Sequence, residues 1–195
     1  MIKFGTDIDE CLVEVVPLIA EEIKFRFNKA IDVAAISRYD LCEATGLCEN
    51  DMRVAIDAAI NRADDIMAVP HAAETLAWLA PFAKSPIPLI TTRPIRHYIP
   101  TVRTLNRIMP KGVKWTLHMT DTPFCKSHDK VPQIVKQRVD VFVEDRVKYS
   151  REISEQTGCT VLLLDRPWNR HFETCRNVVR MENWLQIRQF MEKVL

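Results

Sequence analysis

The sequence predicts a doubly wound, mostly parallel α/β domain with a small helical insertion after its first strand. Three observations carry this. Short apolar, β-branched runs alternate with segments whose apolar residues recur every three or four positions, the pattern of strands joined by crossover helices. Polar and acidic residues stand where several of those runs end, as along the carboxyl edge of a parallel sheet. Residues 15–68, between the first run and the next, carry helical periodicity alone. A length of 195 residues suits one domain of ordinary size with an insertion. We assign 1–14 and 69–195 to the α/β core and 15–68 to the insertion. With 47% hydrophobic and 27% charged residues the chain can bury a core and is not a disordered segment.

The elements follow in order. Ile2 to Thr6 reads as a short strand that runs into Asp7 and Asp9. Leu12, Val15, Val16, Ile19, Ile23 and Phe27 then recur at helical spacing. Pro17 falls inside that pattern, so either the first turn is loose or the regular helix starts there. Ser37 to Leu47 predicts a short helix closed by Gly46. Met52, Ala55, Ile56, Ala59, Ile60 and Ala63 predict a longer one. Pro70 opens another helix, with Ala73, Leu76, Ala77 and Ala80 on one face. Pro86 to Thr92 is the second strand, although Pro88 argues against a central position unless it lies at the strand's start. A helix over Thr101 to Met109 precedes the alternating strand Val113, Trp115, Leu117, Met119. Val131 to Arg138 is a short helix, and Val139 to Val143 a strand ending in Glu144, Asp145 and Arg146. A helix over Lys148 to Thr157 stops at Gly158, and Thr160 to Leu164 is the fifth strand. A polar loop, Asp165 to Arg170, and a last helix carrying Trp184, Ile187, Met191 and Val194 complete the chain. There is no internal repeat and no low-complexity segment.

Composition narrows the function classes. The formal charge is +1, from 27 basic and 26 acidic residues without a long run of either sign. That argues against a partner that is a nucleic-acid polymer or a membrane surface. No stretch is long and apolar enough to span a bilayer, and no export leader is recognisable, so a cytoplasmic protein is expected. The six cysteines contain no C-x-x-C pair and are expected to be reduced thiols. The five histidines make no zinc-like spacing, and each reads as a surface or satisfied side chain.

The chemistry concentrates at the strand ends. Residues two apart on a strand point to the same side, so Asp7 and Asp9 can share one small site. Two like charges there require a cation or a shared proton. Alone, the pair could be two ordinary acids at an exposed strand end. The chain adds Thr91 and Thr92, followed by Arg93, then a lysine at Lys126 or Lys130, then Glu144 and Asp145. In a parallel sheet these ends face one edge. Acids at two strand ends can hold a hard divalent cation, for which oxygen ligands and retained waters suit Mg²⁺. A hydroxyl and an ammonium supply donors for phosphate oxygens. A carboxylate beside such a cation can attack phosphorus, and a second can protonate the leaving oxygen and activate water.

The ordered set Phe4-Gly-Thr-Asp-Ile-Asp9, Leu89-Ile-Thr91, Lys130 and Phe142-Val-Glu-Asp145 resembles the haloacid dehalogenase-like phosphohydrolase superfamily. The resemblance spans nearly the whole chain and implies a Rossmann-like core with a small cap over the site. It implies Asp7 as nucleophile and Asp9 as general acid/base. Mg²⁺ would lie between Asp7, the Asp9 backbone carbonyl and Asp145, with Glu144 as a ligand or behind the ligands. Thr91 would bind the transferring phosphoryl group, and Lys130 would neutralise Asp7 and the phosphate. Thr91-Thr-Arg-Pro94, Val143-Glu-Asp-Arg146 and Asp165-Arg-Pro-Trp-Asn169 look most similar to the 5′(3′)-deoxyribonucleotidase-like branch and its bacterial nucleotidase-like relatives. The implied activity is Mg²⁺-dependent hydrolysis of a small phosphomonoester, with nucleoside 5′-monophosphates among the candidates.

The chain departs from the pattern at Glu10, where glycine is usual, at Cys11 beside it, and at Glu144, where aspartate is common. Glycine after the second acid lets the chain turn without steric cost, so Glu10 raises a question about the local backbone. Lys130 is preferred to Lys126 because it precedes the helix leading into the acidic strand, and Thr91 to Thr92 by its spacing to Arg93. Two other readings compete with this one. A signalling receiver domain carries its phosphorylated aspartate at a later strand, ahead of the hydroxyl and lysine, and lacks the helical insertion. A catalytically inactive phosphate-binding or regulatory protein on the same fold is prompted by Glu10 and Glu144, and metal-dependent phosphate release separates it from an enzyme. Arg93, Arg96, Arg166 and Arg170 are phosphate or base contacts or else surface cations. Trp168 stacks on a ligand ring or anchors a loop, and Cys11 is a reactive thiol or a buried inert one.

Overall fold

Phe4–Thr6 forms β1, a strand buried at all three residues. Gly5 is needed by crowding: a Cβ there would meet the Phe142 ring, the Pro88 ring and the Pro88 carbonyl, each at 3.2 Å. This computed structural model describes residues 1–37, 40–120 and 129–195. Lys126, the alternative to Lys130, lies outside the described residues. Past Asp9 the chain turns at Glu10 and enters β2, Val13–Glu14, then α1, Val16–Phe27. Pro17 stands in the first turn of α1, where its missing N–H leaves no hydrogen bond unmade, so the helix starts at the proline's turn.

The insertion continues with α2, Leu41–Thr45, whose first turn is capped by the Asp40 carboxylate and whose end is closed by Gly46 at φ 63°. It ends with α3, Glu49–Asn61, which buries Met52, Ala55, Ala59 and Ile60. The insertion is not helical throughout. Met67–Ala68 forms β3, which pairs antiparallel with β2 (Val13↔Ala68, Glu14↔Met67) and ties the two ends of the insertion together. Strands of two residues carry no readable alternation, so nothing in the sequence announces them.

The core resumes with α4, Ala72–Leu79, and β4, Ile87–Thr91. Next come α5, Tyr98–Ile108, β5, Trp115–Met119, and α6, Val131–Gln137. Then follow β6, Val141–Glu144, α7, Val147–Thr157, and β7, Thr160–Leu164. Val178–Met181 forms β8 and Trp184–Val194 forms α8. Six strands make one sheet in the order β5-β4-β1-β6-β7-β8, every neighbouring pair parallel. The expected doubly wound α/β architecture is therefore present, with one strand more than the five read from the sequence. β8 was missed because only Val178 and Val179 in it are β-branched and polar residues flank them. Pro88, expected in a central strand only at its start, is the second residue of β4, which lies between β5 and β1. Ile87 donates its N–H to Lys114 on the β5 side, so the alternate nitrogen of Pro88 faces β1, where Thr6↔Leu89 is the registered pair.

Alternation divides the core between the two faces of the sheet. Val141, Val143, Leu162 and Leu164 pack with α4 and α8 side chains such as Leu76, Trp184 and Ile187. Phe142, Val161 and Leu163 pack with Ile134 of α6 and with Tyr149 and Ile153 of α7. Trp184 is fully buried and donates its Nε1–H to the Cys11 carbonyl at 2.7 Å, which fixes the loop after β1. Among the described residues no helix is long and apolar enough to cross a membrane.

Candidate active site

β1 and β6 are parallel neighbours in the register Phe4↔Val141, Gly5↔Phe142 and Thr6↔Val143. Asp7 and Glu144, each the next residue along, therefore end side by side. Lys130, immediately before α6, reaches between them, with Nζ 2.6 Å from Asp7 Oδ2 and 2.6 Å from Glu144 Oε2. Its ammonium also lies 4.9 Å from the centre of the Tyr149 ring. The lysine is 1% exposed. A buried ammonium is tolerated only when paired and hydrogen-bonded, and the two carboxylates raise its pKa despite burial, holding it charged.

Asp145 completes the cluster. Its Oδ2 accepts the Trp168 indole N–H at 3.0 Å, and ligand atoms of Asp7, Cys11 and Asp145 all lie within 4.8 Å of one another, every one of these residues buried. Among the described residues, the carboxylates of Asp7, Glu144 and Asp145 are thus buried close together, and the Lys130 ammonium pairs with the first two. Burial, with Lys130 opposing it and Glu144 and Asp9 adding to it, pushes the Asp7 carboxyl up to about 7. Burial and the Glu144 and Asp7 charges raise Asp145 well above the carboxylate range. Carboxylates crowded together in a closed site disfavour one another's ionised forms, a conflict that a hard divalent cation relieves. Asp7 and Asp145 offer oxygen donors of the kind such a cation takes. Cys11 is not such a donor: burial and the charges of Asp145, Asp7 and Glu144 hold its thiol protonated, and a soft neutral sulfur is a poor ligand for this ion. Glu144 has its oxygens engaged elsewhere. Oε2 accepts from Lys130, and Oε1 accepts the backbone N–H groups of Asp145 and Arg146, both at 3.1 Å. It braces Lys130 and the backbone of Asp145 and Arg146.

Asp9 parts from Asp7. Its side chain is 26% exposed and is clasped by Arg93, whose Nε lies 3.1 and 3.0 Å from Oδ1 and Oδ2 and whose Nη2 lies 2.6 Å from Oδ1. The guanidinium is itself buried and donates from Nη1 to Thr101 Oγ1 at 2.9 Å. Thr91 ends β4 with its hydroxyl buried and accepting the Arg93 N–H at 3.2 Å. Thr92, next to it, lines a cavity of about 320 Å³ together with Asp9, Arg93, Met52, Ile56 and His97. That cavity lies between α3 of the insertion and the end of β4. A larger hollow of about 540 Å³, lined by residues such as Ile31, Asp32, Ile36 and Ala44, lies within the insertion and touches none of the strand-end acids.

The departures from the expected motif have physical explanations. Glu10 takes the left-handed conformation glycine would favour, φ 56°. Its Oε1 accepts the N–H groups of Val15 and Val16 at 2.7 and 2.8 Å. Those are among the open donors of α1, whose own N-cap residue supplies no side-chain bond. Burial pushes this carboxyl up to about 7, against the pull of the Val16 and Val15 amides and of Arg166. Arg166 grips the same turn, donating from Nε to the Glu10 carbonyl at 2.9 Å, so it is a brace for the turn in this structure. Trp168 anchors its loop and orients Asp145. Arg170 pairs with Asp165 at 3.0 Å on the surface. Arg96 pairs with Asp57 of α3 at 2.9 Å.

His97 and Asp57, both at the cavity, were not read as site residues, and His97, expected to be a surface or satisfied side chain, is buried with Nδ1 unpartnered among the described residues. His97 is 2% exposed, and its Nε2 lies 2.8 Å from Asp57 Oδ1. Its position three residues after Thr91-Thr-Arg-Pro94 was the available signal, since the turn after a site strand faces the same edge of the sheet.

No family model matches the chain. “Putative nucleotidase YqfW” of Bacillus subtilis is 24% identical over 198 residues, covering 98% of this chain and 94% of that protein. “Putative nucleotidase BH1399” of Halalkalibacterium halodurans is 34% identical over 68 residues, which span 35% of this chain and 34% of its own length. Among solved structures, a haloacid dehalogenase (HAD) family hydrolase from Deinococcus radiodurans R1, with bound phosphate and sodium, superposes with a TM-score of 0.61. It is 15% identical, and the match covers 97% of this chain and 94% of that one.

Proposed function

We propose that this chain, which has the haloacid dehalogenase-like fold, is a Mg²⁺-dependent phosphatase acting on a small phosphomonoester, with nucleoside 5′-monophosphates the leading candidates. The observation that carries this is the closed cluster of Asp7, Lys130, Glu144 and Asp145 at the edge of the sheet. Asp7, Asp145 and the Asp9 backbone carbonyl would hold Mg²⁺, which when bound supplies positive charge to these carboxylates and to the phosphoryl oxygens. In this reading an Asp7 oxygen attacks phosphorus as the bond to the leaving oxygen breaks, giving an aspartyl-phosphate. Asp9 protonates the leaving oxygen, then takes a proton from the water that attacks the same phosphorus, releasing phosphate and restoring Asp7. Lys130 stays charged throughout and offsets the negative charge gathered at Asp7. In this reading Thr91 and Arg93 also donate to the phosphoryl oxygens. Residues 15–68 act as a cap, and the cavity between cap and core receives the leaving group. The names of the two curated relatives support a nucleotide as substrate.

The inactive reading rests on Glu10 and Glu144. Both side chains have local work to do, one capping α1 and one bracing Lys130, and neither displaces Asp7, Asp9 or Asp145. That favours an enzyme. Incubation with Mg²⁺ and a panel of phosphomonoesters, read as inorganic phosphate, tests the proposal. Release is expected with at least one substrate, abolished by chelation and restored by added Mg²⁺. Asp7→Asn should fall to background, and turnover by that variant at the wild-type rate would overturn the assignment of Asp7.

A further inference from the structure

Buried polar atoms are almost always hydrogen-bonded, and each exception needs a reason. His97 Nδ1 is such an exception: it is buried and has no hydrogen-bond partner among the described residues. The opposite ring nitrogen, Nε2, lies 2.8 Å from Asp57 Oδ1. A carboxylate can only accept, so Nε2 carries the proton in that contact, and a neutral ring then presents Nδ1 as a lone-pair acceptor. Burial lowers the pKa of this imidazole, which keeps it in the neutral form. His97 and Asp57 both line the cavity that also contains Asp9. Leaving such an acceptor unpaired is costly, a cost that a suitably placed donor removes.

We infer that His97, oriented by Asp57, is a specificity-determining residue whose Nδ1 accepts a hydrogen bond from a hydroxyl or N–H group on the leaving group of the substrate. This rests on the phosphatase reading for its substrate and on the cavity for its geometry. The alcohol part of the phosphomonoester lies on the Asp9 side of the phosphorus, because Asp9 protonates its oxygen, and Asp9 and His97 share one cavity. The ring is closed from solvent in the free protein, so the donor enters from within the cavity as its walls adjust. Met52, unbranched and on the wall contributed by α3, repacks at low cost. A site built around a buried acceptor selects strongly, because an analogue lacking the donor leaves that acceptor unpaired.

The test compares the full chain with Mg²⁺ on nucleoside 5′-monophosphates and matched analogues that lack one hydroxyl or the exocyclic amine. Wild type is expected to favour at least one donor-bearing member by about tenfold or more in kcat/KM. His97→Gln keeps a donor for Asp57 but puts no acceptor at the Nδ1 position, and should bring that ratio close to one. A merely structural role would lower both members of the pair together and leave the ratio as in wild type, which would overturn the inference. A second measurement does not depend on turnover. In ¹⁵N-histidine-labelled Asp7→Asn protein, the His97 Nδ1 resonance should move when the favoured nucleoside is added, and should stay unmoved with the analogue. An identical response to both would sink the role of His97 even if phosphate release is robust. If wild type releases no phosphate from any substrate while Nδ1 still responds selectively, the phosphatase reading fails and the binding role stands.

Discussion

Glu10 and Arg93 are the two residues at which the site departs most from a plain cluster of acids. Glu10 holds a left-handed backbone that costs an L side chain roughly 1–2 kcal/mol, and its carboxylate offsets this by accepting two open amides at the start of α1. Glu10→Ala should therefore destabilise the fold by about 1–2 kcal/mol, the usual value of a lost helix cap. Glu10→Gly loses the same acceptor but also sheds the steric cost, so its urea midpoint should fall between those of Glu10→Ala and wild type. Arg93 places its buried guanidinium on both oxygens of Asp9 and on Thr101. A lysine cannot reproduce that fork. Arg93→Lys and Arg93→Ala should each lower kcat/KM by roughly 10- to 100-fold, the ~1.5–3 kcal/mol of a charged hydrogen bond. Added guanidinium ion should rescue the alanine variant but not the lysine variant. Equal failure to rescue would mean that Arg93 acts through packing alone.

The loop after β7 shows how one element can serve several parts of the site. Arg166 holds the Glu10 turn, Trp168 holds the Asp145 carboxylate, and Asn169 Nδ2 donates to the carbonyls of Asp145 and Leu164 at 2.8 Å each. β8 locks the loop in turn, since Arg180 donates to Asp165, to Asn169 and to the Phe172 carbonyl. Trp168→Phe preserves most of the buried ring but removes the N–H that orients Asp145. The Mg²⁺ concentration giving half-maximal activity should rise by about 10- to 100-fold, while the thermal midpoint changes little. If the Mg²⁺ dependence is unchanged, the indole is an anchor for the loop and nothing more. The element scale is also where the limits of the sequence are visible. The strands bearing Asp7, Thr91 and Asp145, and the lysine before α6, were readable because runs of β-branched residues end in polar ones and the parallel sheet brings those ends together. The contacts made by Arg166 and Trp168 were not readable. They span 156 and 23 positions and depend on β8, whose four residues lack a strand pattern. The Asp9 clasp was hidden for a similar reason: spacing brings Arg93 to the right edge of the sheet but does not say whether it meets phosphate or carboxylate.

Across the whole molecule, the question is what fixes the insertion over the sheet edge. Arg103 pairs with Asp64, but both are largely exposed, and such pairs contribute about 0–1 kcal/mol. The less exposed contacts matter more: Thr104 donates to the Ala63 carbonyl at 3.1 Å in a buried bond, and Arg107 to the carbonyls of Ala63 and Ile66 and His97 to Asp57 in partly buried ones. Of these, the histidine makes the attachment sensitive to pH. Its ring is faced by Asp57 of α3 and, from its own segment, by the like charges of Arg96 and Arg93, and burial is the largest influence, holding its pKa below the ordinary value. As pH falls through about 6.5 the unfolded chain takes up a proton that the folded chain does not, so stability decreases until the folded pKa is reached. Asp57 is depressed by its hydrogen bonds to Arg96 and His97, which outweigh its desolvation. Its contribution is lost only at more acid pH. Asp7 and Asp145, with raised pKa values in the metal-free protein, would act with the opposite sign, so the measurement belongs at saturating Mg²⁺. His118 is also depressed, by burial with Lys136 and Lys3, and supplies a background common to wild type and variant. Subtracting the unfolding free energy of His97→Gln from that of wild type at each pH between 5 and 8 removes that background. The difference should decline toward acid and level off above neutrality. A flat difference would show that the imidazole is equally protonated in the folded and unfolded chains, and that the docking of the insertion does not depend on its charge.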